Sequence, residues 1–163
     1  MSTSDLSYYD PEEVPSGEKK KVTIIVSEWN SNITFALRDA AIETLLKFGV
    51  RKNDIYVRYV PGSFELIYAT TKSLHFGNCD AIIALGSIIK GETPHFDYIS
   101  QSVMNNLGYL NANTKLLSGT LYIPIINGVL TTDNMQQAED RAGGKLGNKG
   151  IEAAIVALKM MRF

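Results

Sequence analysis

The chain has 163 residues, with 16 Lys or Arg against 17 Asp or Glu, for a formal net charge of −1. At 45% hydrophobic and 20% charged residues it has ordinary globular chemistry, which excludes a disordered chain and suits one domain with a core. One cysteine, Cys79, excludes an intramolecular disulfide framework and a multi-cysteine metal site, and no apolar run approaches the ~18 residues that span a membrane.

In chain order, residues 1–20 read as an acidic, solvated tail and residues 21–163 as a single domain. Asp5, Asp10, Glu12, Glu13 and Glu18 are the only charges in residues 1–18. The rest of the chain therefore carries 12 acids against 16 bases. A balance of +4 is too weak to argue for nucleic acid, which needs a clustered basic excess. It is compatible with a small anionic ligand. The first ten residues are polar and acidic and lack the basic and apolar regions of a secretion signal, so the expected compartment is the cytoplasm.

Val22 to Ser27 is a β-branched run that predicts a buried strand. Ile33, Leu37, Ala40, Ala41, Leu45 and Phe48 recur at helical spacing, and Gly49 sits where a helix end wants a left-handed residue. Asp54 to Val60 predicts a second strand, ended by Pro61 and Gly62. A helix is predicted from about Ser63 to Phe76, then a strand over Ala81 to Leu85 and a helix over about 95–110. The fourth strand is predicted over Leu121 to Ile126. Pro124 lacks an N–H, which makes that strand an edge or a local irregularity. Asp133 reads as an N-cap with Gln136 three residues on, close to a capping box. That helix ends near 142–144. Four glycines between Gly143 and Gly150 bend the chain before a last helix from Ile151 to about Met161.

The order β-α-β-α-β-α-β-α-α implies a parallel sheet with helices on both faces. In such sheets, ligands bind beyond the carboxyl ends of the strands. The unusual residues fall on the four predicted ends: Trp29 and Asn30 after the first strand, Ser63, Phe64 and Glu65 after the second, Ser87 to His95 after the third, and Asn127 after the fourth. Each has a plainer reading. Trp29 can cap the core, Glu65 can favour a helix dipole, His95 can be a first-turn surface residue, and Arg141 can simply end a helix. Their convergence carries the argument. Gly91, Glu92, Thr93 and Pro94 open a helix whose exposed N–H groups suit an anion. His95 adds an imidazole in the same turn, the side chain best suited to moving protons near neutrality. Arg141 has the fork geometry that matches phosphate oxygens. The phosphate-loop and dinucleotide fingerprints are absent.

Taken together, these blocks resemble the lumazine synthase family of riboflavin biosynthesis. The resemblance runs from about residue 20 to 161. It rests on Trp29 and Asn30, VPGSFE at 60–65, the strand from Asp80 to Gly86, GETPH at 91–95, GVLTT at 128–132, QAEDR at 137–141 and GNKG at 147–150. It implies a flavodoxin-like three-layer α/β sandwich with a four-stranded parallel sheet in the order 2-1-3-4. It also implies condensation of 5-amino-6-ribitylaminouracil with 3,4-dihydroxy-2-butanone 4-phosphate, giving 6,7-dimethyl-8-ribityllumazine, phosphate and water with no metal or redox cofactor. In that light Trp29 stacks on the pyrimidine beside Asn30. Ser63, Phe64 and Glu65 hold the ribityl chain, and Ser87, Ile88 and Ile89 line the pyrimidine slot. Glu92 and Thr93 offer N–H groups to the phosphate, Arg141 binds it, His95 transfers protons and Lys149 lies near the substrates.

The sequence departs from the family at Asn127, where an aromatic from a neighbouring subunit commonly closes the pyrimidine site. That departure keeps open a catalytically weakened shell-forming or encapsulating protein, or a module that binds flavin or lumazine. The resemblance also implies homo-pentamers with shared sites. The short glycine-rich joint points to a 60-subunit shell, in which riboflavin synthase is a possible enclosed partner.

Overall fold

A computed structural model describes residues 7–115, 119 and 122–163. Its centre is a four-stranded parallel sheet in the order β2-β1-β3-β4. Strand β1 (Val22–Ser27) is followed by α1 (Ser31–Lys47), β2 (Ile55–Val60), α2 (Leu66–Phe76), β3 (Ala81–Ile89), α3 (His95–Ala112) and β4 (Ile125–Thr132). A short helix α4 (Met135–Asp140), a hairpin of β5 (Ala142–Gly144) with β6 (Gly147–Asn148), and α5 (Lys149–Met160) complete the chain. This is the flavodoxin-like arrangement expected from the sequence.

All six residues of β1 are buried, because helices cover both faces of the sheet. Val22, Ile24 and Val26 pack with α1 and α5, against Leu37, Leu45, Ala154 and Leu158. Ile25 points the other way, into a second core with Leu66 and Leu74 of α2 and Val103 and Leu107 of α3. Strand periodicity thus feeds two separate apolar layers from one run of residues. On the α1 side the helices approach closely. A Cβ on Gly150 would overlap the backbone carbonyl of Leu37, and Ala153, Ala154 and Ala157 continue a row of small buried residues along α5.

Several boundaries differ from the sequence expectation. The fourth strand runs over Ile125–Thr132 rather than 121–126, and Leu121 lies outside the described residues. The cause is β3, which extends to Ile89 and offers partners from Ile82↔Ile125 to Ile89↔Thr132. Pro124 stands just outside the strand, where its carbonyl accepts from the Ile82 N–H at 3.0 Å and its missing donor costs nothing. Asn127 is therefore inside β4, opposite Ala84, and not in a loop beyond it. The second helix begins at Leu66, because residues 61–65 form a closed turn instead. The α4 cap is Asn134, one residue later than expected. Its side chain accepts from the Gln137 N–H at 3.0 Å, and the Gln137 side chain accepts from the N–H of Asp133, one residue before the cap, at 2.9 Å, a variant of the capping box. The glycine-rich joint is a hairpin.

From Ser7 onward the amino-terminal segment lies against the body. Ser7 Oγ accepts from the Asn148 N–H at 2.6 Å and donates to the Asn148 carbonyl at 3.0 Å. Val14 joins the α1–α5 core, and the Gly17 N–H donates to the Phe48 carbonyl at 2.7 Å. Among the described residues, no helix is long and apolar enough to cross a membrane.

Two outcomes follow from the packing. Gly150→Ala must push α5 away from α1, because the obstacle is backbone; an unfolding titration is expected to show a loss of about 3 kcal/mol. Burial pushes the Cys79 thiol up from its ordinary value, only partly offset by hydrogen bonding with Thr23. The folded chain therefore keeps its thiol proton at alkaline pH while the unfolded chain sheds it. This group's effect on stability is nil below the free thiol's pKa and becomes increasingly unfavourable as pH rises from there toward the folded value. Iodoacetamide at pH 8 is expected to label native protein at least about tenfold more slowly than unfolded protein, read by intact mass.

Candidate functional site

The carboxyl end of the sheet is built around an overhang. β1 pairs with β3 only as far as Val26↔Leu85, whereas β3 and β4 continue together to Ile89 and Thr132. Ser87, Ile88 and Ile89 therefore form a shelf with an open edge on the β1 side. Asn30 meets that edge: its Nδ2 donates to the Ser87 carbonyl at 3.0 Å. To reach there, Asn30 takes a left-handed backbone, with φ 57° and ψ 46°, a conformation that Asn tolerates better than most residues. Its own carbonyl accepts the first N–H groups of α1, from Ile33 and Thr34.

The loop after β2 is locked against this shelf. The Glu28 and Trp29 N–H groups donate to the carbonyls of Val60 and Pro61 at 2.8 and 3.0 Å, which joins the ends of β1 and β2. The Gly62 N–H donates to the Glu65 carboxylate at 3.0 Å. A Cβ on Gly62 would fall 2.7 Å from the Trp29 ring, so glycine is what lets the indole lie over the turn. On β3, Gly86 plays the matching part. A Cβ there would stand 2.7 Å from the Ser63 hydroxyl and 3.0 Å from Leu66. Two glycines thus bring the Trp29 ring, the 61–65 turn and β3 into contact.

These elements enclose a cavity of about 450 Å³, a size suited to a small organic ligand. Trp29, two-thirds exposed, and Phe64 give it aromatic surface. Asn30, Ser63, Glu65 and Ser87 give it polar groups, and Ile88 and Ile89 give it apolar floor. The Ser87 hydroxyl is buried, with no protein partner among the described residues. Gly91, Thr93 and His95 close the far side at the start of α3, whose first turn has no side-chain cap and so presents N–H groups outward. Phe96 and Ile99 also line the cavity and were not expected to from the sequence. Their signal was helical spacing, since Ile99 lies one turn beyond His95.

Four of the expected site residues stand elsewhere. Glu92 does not line the cavity. Asn127 and Lys149 line a second hollow of about 250 Å³ over β4 and α5. The Asn127 side chain is turned onto its own strand and α3, accepting from the Val129 N–H at 3.0 Å and donating to the Met104 sulfur at 2.9 Å. Arg141 is engaged at the hairpin. Its Nη1 donates to the Leu146 carbonyl at 2.9 Å, and its Nη2 lies 2.7 Å from a Glu152 oxygen. Lys149 Nζ lies 3.1 Å from the other Glu152 oxygen. Glu152 is a polar residue of this second cluster that the sequence reading missed, although an acid three residues after Lys149 on a helix is a readable pair. Among the described residues, no group of three or more His, Cys, Asp or Glu is placed to hold a metal ion.

Comparison with known proteins matches this architecture to one family. A sequence model described as 6,7-dimethyl-8-ribityllumazine synthase matches residues 19–163. The chain is 48% identical over 159 residues to the 6,7-dimethyl-8-ribityllumazine synthase of Phocaeicola vulgatus, covering 98% of this chain and 90% of that protein. It is 50% identical over 156 residues to the protein of the same name from Porphyromonas gingivalis, covering 96% and 92%. For the Bacteroides fragilis protein of that name the figures are 52% over 143 residues, 88% and 95%. With the match spanning the sheet, the cavity and the Arg141 hairpin, the chain belongs to the 6,7-dimethyl-8-ribityllumazine synthase family.

Proposed function

We propose that the chain is a transferase of riboflavin biosynthesis that condenses 5-amino-6-ribitylaminouracil with 3,4-dihydroxy-2-butanone 4-phosphate. The observation that carries this reading is the single cavity in which an aromatic face, a carboxylate and an imidazole surround an apolar shelf, in a chain of this family. Trp29 stacks on the pyrimidine. Glu65 and Ser63 hold the ribityl hydroxyls, and the β3 shelf fixes the ring edge through its backbone and the Ser87 hydroxyl. The free amine then faces the ketone. Attack on the carbonyl carbon forms the C–N bond and leaves an alkoxide that must gain a proton before water departs. His95 supplies that proton and later accepts one as phosphate leaves and the second nitrogen closes the ring. The amine and the ketone react readily on their own, so holding them together provides much of the acceleration.

The phosphate is bound by the N–H groups around Glu92 and Thr93 and by Arg141. Arg141, Lys149 and Asn127 stand outside the cavity of their own chain, which supports a site completed by a neighbouring copy within a homo-pentamer. The short hairpin between Arg141 and Lys149 favours assembly of pentamers into a 60-subunit shell able to enclose riboflavin synthase.

Purified protein with both substrates is expected to form lumazine, followed by its absorbance. No product at saturation of both would overturn the reading in favour of a weakened shell protein or a flavin binder. Arg141→Ala is expected to raise the KM for the phosphorylated ketone by about 10- to 100-fold, the worth of a charged hydrogen bond. His95→Ala is expected to lower kcat about 100-fold, at the low end for general acid–base catalysis. Co-expression of these two variants tests sharing. If the site spans two chains, mixed assemblies regain about a quarter of wild-type sites; if it does not, they regain none. Sedimentation velocity distinguishes pentamers from the larger shell.

A further inference from the structure

We propose that Glu152 is a positioning residue, whose carboxylate holds Arg141 and Lys149 as one preset cationic pair for the ester phosphate of the substrate. This rests on the reading of Arg141 as the phosphate ligand.

The two cations come from different elements. Arg141 follows α4, and Lys149 opens α5 after the hairpin. The hairpin folds them together, with the Lys149 N–H donating to the Arg141 carbonyl at 2.9 Å. That bond fixes the backbones but not the side chains, and both side chains are long and rotamer-rich. Glu152 supplies the missing constraint. It offers one oxygen to each cation, Oε1 to Arg141 at 2.7 Å and Oε2 to Lys149 at 3.1 Å. Its own place is fixed by the α5 backbone, which carries it one turn beyond Lys149, and Ser7 Oγ lies 3.3 Å from its Oε1.

The arrangement is partly buried, with side-chain exposures of 14% for Arg141, 17% for Glu152 and 29% for Lys149, so the charges act on one another with less screening than at an open surface. Two like charges held this close repel, and one carboxylate between them removes that repulsion while leaving a net charge of +1. The Leu146 and Glu152 contacts use two of the guanidinium's five N–H groups, which leaves donors for an anion. Lys149 and Glu152 both line the hollow beside Asn127, so these two side chains face a surface and not the core. A partly buried ion pair is weak evidence for stability, and its better-attested use is to fix geometry.

The alternative is that Glu152 only ties the hairpin to α5. The two roles separate in kinetics. Steady-state rates of the assembled protein are measured with each substrate varied at saturation of the other, and with inorganic phosphate as inhibitor. Glu152→Gln is expected to raise both the KM for the phosphorylated ketone and the inhibition constant of phosphate about tenfold, with the KM for the pyrimidine within about twofold. Glu152→Asp, which keeps the charge at shorter reach, is expected to recover about threefold of that loss. In an Arg141→Ala background, adding Glu152→Gln is expected to shift the ketone KM by less than about twofold, because the effect passes through Arg141. If Glu152→Gln leaves both constants unchanged while Arg141→Ala raises them, positioning is wrong and the phosphate reading stands. If neither variant changes them, the phosphate reading fails as well. A loss of melting temperature with unchanged constants also overturns the proposal. Should the Gln variant not assemble, the Asp variant decides alone: a raised ketone KM with an unaltered pyrimidine KM supports positioning, and unaltered values for both refute it.

Discussion

Backbone groups of β3 beyond Leu85 need partners that β1 does not supply, and Asn30 meets this need at the Ser87 carbonyl, on the edge of the cavity. A parallel strand presents donors and acceptors on both edges, and an unpaired polar group away from water is costly. On the far edge β4 continues the ladder to Thr132. On the near edge the Asn30 side chain takes over where β1 stops, at the Ser87 carbonyl. That bond accompanies the left-handed turn into α1, directly after Trp29. The cavity therefore inherits its shape from a difference in strand length.

The cavity and the hairpin cluster follow opposite designs. The cavity is organised by absence: Gly62 and Gly86 remove the side chains that would keep the Trp29 ring and Ser63 at a distance. The hairpin is organised by opposed charge, with one carboxylate gathering two cations that separate elements deliver. The first suits a flat ring that needs close contact with backbone. The second suits an anion, because two cations held by one carboxylate keep a net positive charge in a fixed place.

The sequence made the sheet legible because β1 and β3 are continuous apolar runs, and a run buried on both faces has few alternatives. The Trp29, Glu65 and His95 loops were legible because polar and aromatic residues interrupted periodic segments at strand ends. The fourth strand was misplaced for a definite reason. Leu121 to Ile126 is more apolar than the stretch from Asn127 to Thr132, yet pairing with the extended β3 outweighs local composition. Asn127 followed from that error, since a residue expected in a loop sits mid-strand. The separation of Arg141 and Lys149 from the cavity was not readable from motif spacing, because spacing orders residues along a chain and is silent on which pocket each one faces. Glu152 was passed over for a related reason: an acid on an amphipathic helix looks like solvated surface until the hairpin brings Arg141 to it.

The bonds between Ser7 and Asn148 join positions 141 residues apart. During synthesis, residues 7–17 leave the ribosome well before β6 and α5 exist, and Val14 waits for the same helix to complete its apolar surroundings. Docking of the amino-terminal segment is therefore completed late: Tyr9 and Gly17 can meet Phe48 early, but the Ser7 and Val14 contacts wait for the end of the chain. A nascent chain halted before α5 would leave the apolar surroundings of Val14 incomplete, and that exposed surface distinguishes an unfinished product from a finished chain.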